Sequence, residues 1–284
     1  MKLVTFDAGS GDQLGVVKDD RVLPIPTVVA PNMIALIAGW ESKASAVRDI
    51  AARAEHPVAL SSVRLKAPIP RPGKIMAIGL NYADHVKETG RELPKEQVWF
   101  SKMPSAVNGP FDPIQIPKVS TMVDWEAEMV VVIGKRGRHI SKEAAKDHVF
   151  GYACGNDVSV RDWQNKTPQW ILGKSFDTHA PFGPWITTAD EAGDPHILGI
   201  RCIVDGVMRQ NSNTSNLIFN VWDEIAHLSK VMTLEPGDLI FTGTSGGVGM
   251  AMKPPMFLKP GDTVRVEIDR LGAIEAKCVA EESR

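Results

Sequence analysis

Cysteine is scarce in this 284-residue chain: Cys154, Cys202 and Cys278 are scattered, odd in number and without metal-site spacing. That usage excludes a disulfide framework and fits a reducing, cytoplasmic setting. Long apolar runs are also missing, and none approaches the roughly 18–20 residues needed to span a bilayer. The opening Met1-Lys2-Leu3-Val4-Thr5-Phe6-Asp7 lacks the apolar stretch of a signal peptide. No charge of one sign dominates. Lysine plus arginine number 32 against 34 for aspartate plus glutamate, a net −2 that speaks for neither a nucleic-acid nor a membrane partner. With 43% hydrophobic and 23% charged residues the chain is globular rather than disordered or fibrous. Against these absences stands a surplus of glycine (24) and proline (20), which implies many turns and many short strands.

The first 70 residues read as a small unit of their own. Lys2–Phe6, Leu14–Val17 and Arg21–Ile25 carry strand patterns, with turn signals at Gly9-Ser10-Gly11-Asp12 and Asp19-Asp20. Asn32 to about Glu55 reads as helical, with Asn32 as N-cap and Gly39 as an interruption. Pro68, Pro70 and Pro72 then favour extended backbone, and the domain boundary is placed there, giving units 1–70 and 71–284. Beyond it, Ile75–Leu80, Glu126–Ile133, Val149–Asn156, Ile200–Val204, Leu239–Thr242, Thr263–Ile268 and Ala276–Ala280 read as strands. Helices are sparse: Asp84–Thr89, Ser141–Asp147 and Ser215–Met232. Strands that do not alternate with helices argue against a doubly wound parallel sheet and for a β-rich rolled or closed one.

The densest chemistry lies in Val123-Asp124-Trp125-Glu126-Ala127-Glu128-Met129-Val130-Val131-Val132-Ile133. Side chains two apart on a strand share a face, so Glu126 and Glu128 project together. Two like charges at the mouth of an apolar strand are either solvated or gathered round a cation. A second apolar strand, ending Gly155-Asn156-Asp157, offers a third carboxylate. Three carboxylates without a paired His or Cys make an oxygen-rich site suited to Mg²⁺, Mn²⁺ or Ca²⁺ rather than zinc. Asp124 has the same parity and competes for the role.

In Gly79-Leu80-Asn81-Tyr82-Ala83-Asp84-His85-Val86-Lys87-Glu88-Thr89-Gly90, a short helix puts His85 and Glu88 on one face at i and i+3. A carboxylate beside an imidazole orients it as a general base; the plainer reading is an incidental surface pair. Gly243-Thr244-Ser245-Gly246-Gly247 formally matches the nucleophile elbow Gly-x-Ser-x-Gly. That motif needs a helix after the serine and a later histidine, whereas Pro254-Pro255 follow and the last histidine is His227. The loop also lacks the Gly-Lys-Ser/Thr ending of a phosphate loop. It reads as a turn close to other backbone, or as a wall of the site offering amides and Thr244 to substrate.

Taken in series, these segments resemble the fumarylacetoacetate hydrolase family from about Lys74 to Ala280. The carrying motifs are Gly79–His85, Lys102-Met103-Pro104-Ser105-Ala106-Val107, Asp124–Glu128, Gly155-Asn156-Asp157-Val158-Ser159-Val160-Arg161-Asp162-Trp163-Gln164, Gly173-Lys174-Ser175-Phe176-Asp177 and Pro236–Thr244. The resemblance, strongest to its acylpyruvase and 2-hydroxyhepta-2,4-diene-1,7-dioate isomerase branch, implies an α+β, β-rich fold. It implies a mixed β-roll or barrel catalytic domain behind a small N-terminal α/β domain, usually as a homodimer. It assigns Glu126, Glu128 and Asp157 as ligands of Mg²⁺ or Mn²⁺, with Ca²⁺ able to substitute in crystals. His85 and Glu88 match its catalytic pair on a short lid, Lys174 its active-site lysine, and Arg161, Gln164 and Thr244 its substrate contacts. The implied reaction is hydrolysis of a C–C bond in a 1,3-diketone or acylpyruvate-type acid through an enolate, in catabolism of aromatic or related compounds. The alternatives are a 2-oxo acid decarboxylase, a 2-hydroxymuconate-type isomerase, or a non-catalytic small-acid binding protein. One departure is local: Ser245 stands where the family's loop has proline.

Overall fold

Alternation along Ala127–Ile133 organises the molecule, which is described by a computed structural model for residues 1–90 and 92–282. Every residue of this strand is buried. Ala127, Met129, Val131 and Ile133 enter one apolar cluster, while Val130 and Val132 enter another. A period of two sends them to opposite faces, so the strand needs a covering layer on each side. One cover is N-terminal: helices Met33–Ala38 and Trp40–Arg53 contribute Leu36, Ile37 and Val47. The other is a five-stranded sheet ordered Val207–Asn213, Gly199–Val204, Thr263–Ile268, Gly272–Ala280, Ile114–Ile116, together with helix Val221–Val231.

The central strand pairs antiparallel with Val149–Asn156 on one side and Leu239–Thr244 on the other. Beyond Leu239–Thr244, Ile75–Gly79 joins in parallel and Val98–Lys102 lies at the edge. Beyond Val149–Asn156 come Ala180–Thr188 and then Lys2–Asp7, with Lys2 opposite Thr187 and Leu3 opposite Ile186. Asp12–Lys18 and Arg21–Ile25 continue outward. The N-terminal strands therefore extend the same sheet that carries Glu128. The proline segment is packed rather than free: Ile69 is buried, and the Thr5 hydroxyl donates to the Pro68 carbonyl at 2.7 Å.

The Asn32 cap and the break at Gly39 are as expected, Asn32 Oδ1 accepting from the Ala35 amide at 2.9 Å. Two expectations are corrected, and one strand was not expected. Ser141–Asp147 is not a helix but a turn, in which Ser141 accepts from the Ala144 amide, followed by a 3₁₀ turn at Ala145–His148 that buries Ala145. The helix expected over Ser215–Met232 begins only at Val221, because Asn220 caps it by accepting from the Trp222 and Asp223 amides. Strand Ala180–Thr188 was hidden by Pro181 and Pro184. Its register against Val149–Asn156 shifts between the Tyr152–Thr187 and Cys154–Gly183 pairs, and such an irregularity admits proline into a sheet.

Candidate metal centre and active-site cavity

The register of two strands assembles the acidic cluster. Ala127 faces Asn156, and the next step brings Asp157 beside Glu126, the Asp157 amide donating to the Glu126 carbonyl at 2.9 Å. Asn156 Oδ1 in turn accepts from the Glu126 amide at 3.0 Å. One oxygen from each of Glu126, Glu128 and Asp157 falls within 4.8 Å of the others, all three residues being buried. An all-oxygen, anionic donor set of this kind fits a hard divalent cation. Asp124 is otherwise engaged. Its Oδ1 accepts from the Trp125 and Gly249 amides, and its Oδ2 from the Met250 amide and Arg161 Nε, so four hydrogen bonds saturate it.

Three cations interleave with the acids. Lys174 Nζ reaches Glu126 Oε2 at 2.6 Å and Asp157 Oδ2 at 2.8 Å. Lys102 Nζ reaches Asp157 Oδ1 at 2.6 Å. Arg161 lies 2.8 Å from Asp124 Oδ2 and 2.7 Å from Glu126 Oε1, while its Nη1 donates to Gln164 Oε1 at 2.9 Å. The electrostatics split the carboxylates. Burial alone would raise Glu126, but Lys174 and then Arg161 outweigh it and hold its carboxyl below the usual range. Among the described residues Glu128 has only the Gly243 amide, at 2.8 Å, as a close partner. Burial first, then Asp157 and Glu126, push its carboxyl well above the usual range. Burial would lower Lys174, yet Asp157 and Glu126 raise it and so keep its ammonium charged. A divalent cation among the three acids would relieve Glu128, which among the described residues has no ion-pair partner while Glu126 and Asp157 do.

Of these groups Glu126, Glu128, Arg161 and Lys174 line a cavity of about 300 Å³ together with His85, Glu88, Gln164 and Thr244, closed on its apolar side by Phe100, Trp170 and Val248, while Asp157 lies behind Glu126 and Lys174. Helix Ala83–Thr89 carries His85 and Glu88, with Nδ1 and Oε2 3.4 Å apart. Glu88 accepts more closely from the Gly247 amide, at 3.0 and 3.1 Å to its two oxygens. The glycine loop thus spends its amides on carboxylates: Gly243 on Glu128, Gly246 on Asp84 and Gly247 on Glu88. Thr244 lines the cavity with its hydroxyl donating to the Ala127 carbonyl and accepting from Gln210 Nε2. Ser245 is buried, and its carbonyl accepts from Gln210 Nε2 at 2.9 Å. Two residues of this arrangement were missed in the sequence. Lys102 shares parity with Phe100 on its strand, a signal that was available. Gln210 sits in the polar run Val207–Asn213 and showed none.

The family model for the fumarylacetoacetate (FAA) hydrolase C-terminal region matches residues 74–279. The chain belongs to the fumarylacetoacetate hydrolase family. It is 53% identical over 222 residues to a mitochondrial oxaloacetate tautomerase of Xenopus laevis, covering 78% of this chain and 70% of that protein. A second mitochondrial oxaloacetate tautomerase, from Bos taurus, is 43% identical over 291 residues, covering 98% and 92%. Among solved structures, the maleylpyruvate hydrolase of Sphingobium sp. SYK-6 with manganese(II) and pyruvate superimposes with a TM-score of 0.85. The two share 35% identity, with 99% of this chain and 100% of that one covered. The family's members include hydrolases, isomerases and tautomerases, so this chain is a family enzyme with a candidate divalent-metal site.

Proposed function

We propose that the chain is a divalent-metal-dependent tautomerase that interconverts the keto and enol forms of oxaloacetate or a closely similar 2-oxo acid. The observation that carries this reading is a cluster of three mutually close buried carboxylates, two of which, Glu126 and Glu128, line one small cavity with a charged lysine and a His–Glu pair. The relatives' names supply the substrate class. Glu126, Glu128 and Asp157 would hold Mg²⁺ or Mn²⁺, which supplies Lewis-acid polarisation of the oxo group when bound. His85, oriented by Glu88, takes the proton from the carbon beside the oxo group. The C–H electron pair becomes the C=C bond, and the oxygen gains the negative charge. The Lys174 ammonium stabilises that charge, and Arg161 and Gln164 grip the substrate carboxylate while Thr244 forms the wall. The oxygen then takes a proton from solvent to give the enol; in reverse the enol oxygen gives its proton to solvent and protonated His85 returns one to carbon.

The test follows enol absorbance with oxaloacetate and the Mn²⁺-loaded protein. Catalysed decay that disappears on chelation and in His85→Ala supports the reading; no acceleration over buffer sinks it. C–C hydrolysis of an acylpyruvate is the second reading, favoured by the overall superposition on maleylpyruvate hydrolase. It is recognised by release of pyruvate, and decarboxylation by release of CO₂. The homodimer belongs to the same proposal and is checked by sedimentation. Three buried free thiols suit any reducing compartment, the cytoplasm or the mitochondrial interior in which the relatives are named. No helix of the described residues is long and apolar enough to cross a membrane.

A further inference from the structure

Helix Ala83–Thr89 carries both members of the His85–Glu88 pair, yet it is only 7 residues long. Isolated helices shorter than about 12–15 residues are marginal in water, so its seat must be fixed from outside. Apolar packing supplies little: among its described side chains only Val86 is buried. The polar contacts of Asp84 are more telling. Its Oδ1 accepts from the His85 amide at 2.7 Å and from the Gly246 amide at 3.4 Å. Its Oδ2 accepts from the hydroxyl of Ser212, on strand Val207–Asn213 of the five-stranded sheet. Asn216 Nδ2 donates to that same hydroxyl at 3.1 Å, which turns the hydroxyl proton toward Asp84. Gly247 holds the loop rigidly against the same strand. Its φ is +100°, and a Cβ there would lie 2.0 Å from the Arg209 carbonyl.

We infer that Asp84 and Ser212 are positioning residues: the Ser212–Asp84 and Gly246–Asp84 hydrogen bonds fix the backbone at His85 and so hold its imidazole in the cavity that Glu126 and Glu128 also line. The inference rests on the reading of His85 as the acid–base group. Neither Asp84 nor Ser212 lines the cavity, so their effect passes through His85.

The test uses the Mn²⁺-loaded full chain with Ser212→Ala, Ser212→Thr and Asp84→Ala. Three quantities are read: kcat with oxaloacetate, Mn²⁺ affinity by calorimetry, and amide exchange of the peptide covering residues 82–90. Ser212→Ala is expected to lower kcat about tenfold, the order a hydrogen bond to a charged acceptor supplies. Mn²⁺ affinity stays unchanged, exchange of that peptide speeds up, and Ser212→Thr restores both kcat and exchange. Adding Ser212→Ala to Asp84→Ala brings no further loss, because both remove the same bond. Unchanged exchange in Ser212→Ala overturns the inference, as does a loss of kcat that runs parallel to a loss of Mn²⁺ affinity. If the unsubstituted protein does not turn over oxaloacetate, the functional reading fails, and the exchange measurement still decides this one. Should Ser212→Ala not fold, Asp84→Ala takes its place: faster exchange of the peptide supports the inference, and unchanged exchange overturns it.

Discussion

Lys102→Met tests whether the buried acids are held by charge. The Lys102 side chain has 0% exposure, and its Nζ donates to Asp157 Oδ1 at 2.6 Å and to the Val158 carbonyl at 3.2 Å. Four buried carboxylates, Asp124, Glu126, Glu128 and Asp157, face Lys102, Lys174 and Arg161. Glu128 is pushed toward its protonated form, and the other three acids face three cations; burial lowers Lys102, with the Asp157 carboxylate at 2.6 Å opposing that loss of charge. Methionine keeps the apolar stem of Lys102 and deletes the charge, leaving one acid unmatched. Breaking a buried pair costs about 3–5 kcal/mol, and the surviving Lys174 contact at 2.8 Å puts this case near 3 kcal/mol. At about 2–4 °C per kcal/mol for a large domain, the metal-free Tm falls by roughly 6–12 °C. Urea unfolding and calorimetry, each with chelator and with saturating Mn²⁺, measure the deficit. A bound divalent cation replaces the lost charge, so the deficit shrinks with Mn²⁺. A metal-free shift below about 2 °C, or a deficit indifferent to Mn²⁺, refutes the charge-matching argument.

Other parts of the molecule give predictions of their own. His179 is buried with Nε2 donating to the Gln115 carbonyl at 2.8 Å, and burial pushes its pKa down to about 3. The native state then stays neutral while the unfolded chain binds a proton. Stability is therefore lost as pH falls from about 6.5 toward 3, by about 5 kcal/mol in full. His179→Gln flattens that acid limb in urea unfolding, and an unchanged slope counts against the assignment. Trp170 packs so closely on Gly79 that a Cβ there would lie 2.5 Å from the indole, and it meets Phe100 at a centroid distance of 5.4 Å. Trp170→Ala opens this wall and raises the kcat/KM ratio of longer acylpyruvates to oxaloacetate by about tenfold or more. A ratio that stays fixed assigns substrate length to another wall.

Glu126 and Glu128 were legible as a pair because strand periodicity is local: two residues apart is one face, whatever the partners. Asp157 was legible as the polar end of an apolar strand, but its place beside Glu126 depends on the pairing of Ala127 with Asn156, a non-local fact. Parity could not separate Asp124 from the ligand set. Only the amides of Gly249 and Met250, far along the chain, show its oxygens to be taken. The same limit applies to the glycine loop. Its composition says that amides are available, and only the packed structure says that Glu128, Asp84 and Glu88 receive them. Ser212 and Gln210 gave no local signal, since a polar residue on a half-exposed strand looks alike whether it faces water, the half-buried Asp84 carboxylate or the glycine loop. Apart from Gln210, each of these misses concerns who neutralises or receives an acid. A net charge of −2 sums 32 basic against 34 acidic residues over the whole chain and says nothing of where they meet; at the site the acids are nearly matched by Lys102, Lys174 and Arg161. That matching is what allows four carboxylates to be buried at all, and it leaves Glu128 as the group for which a divalent cation is the remaining partner.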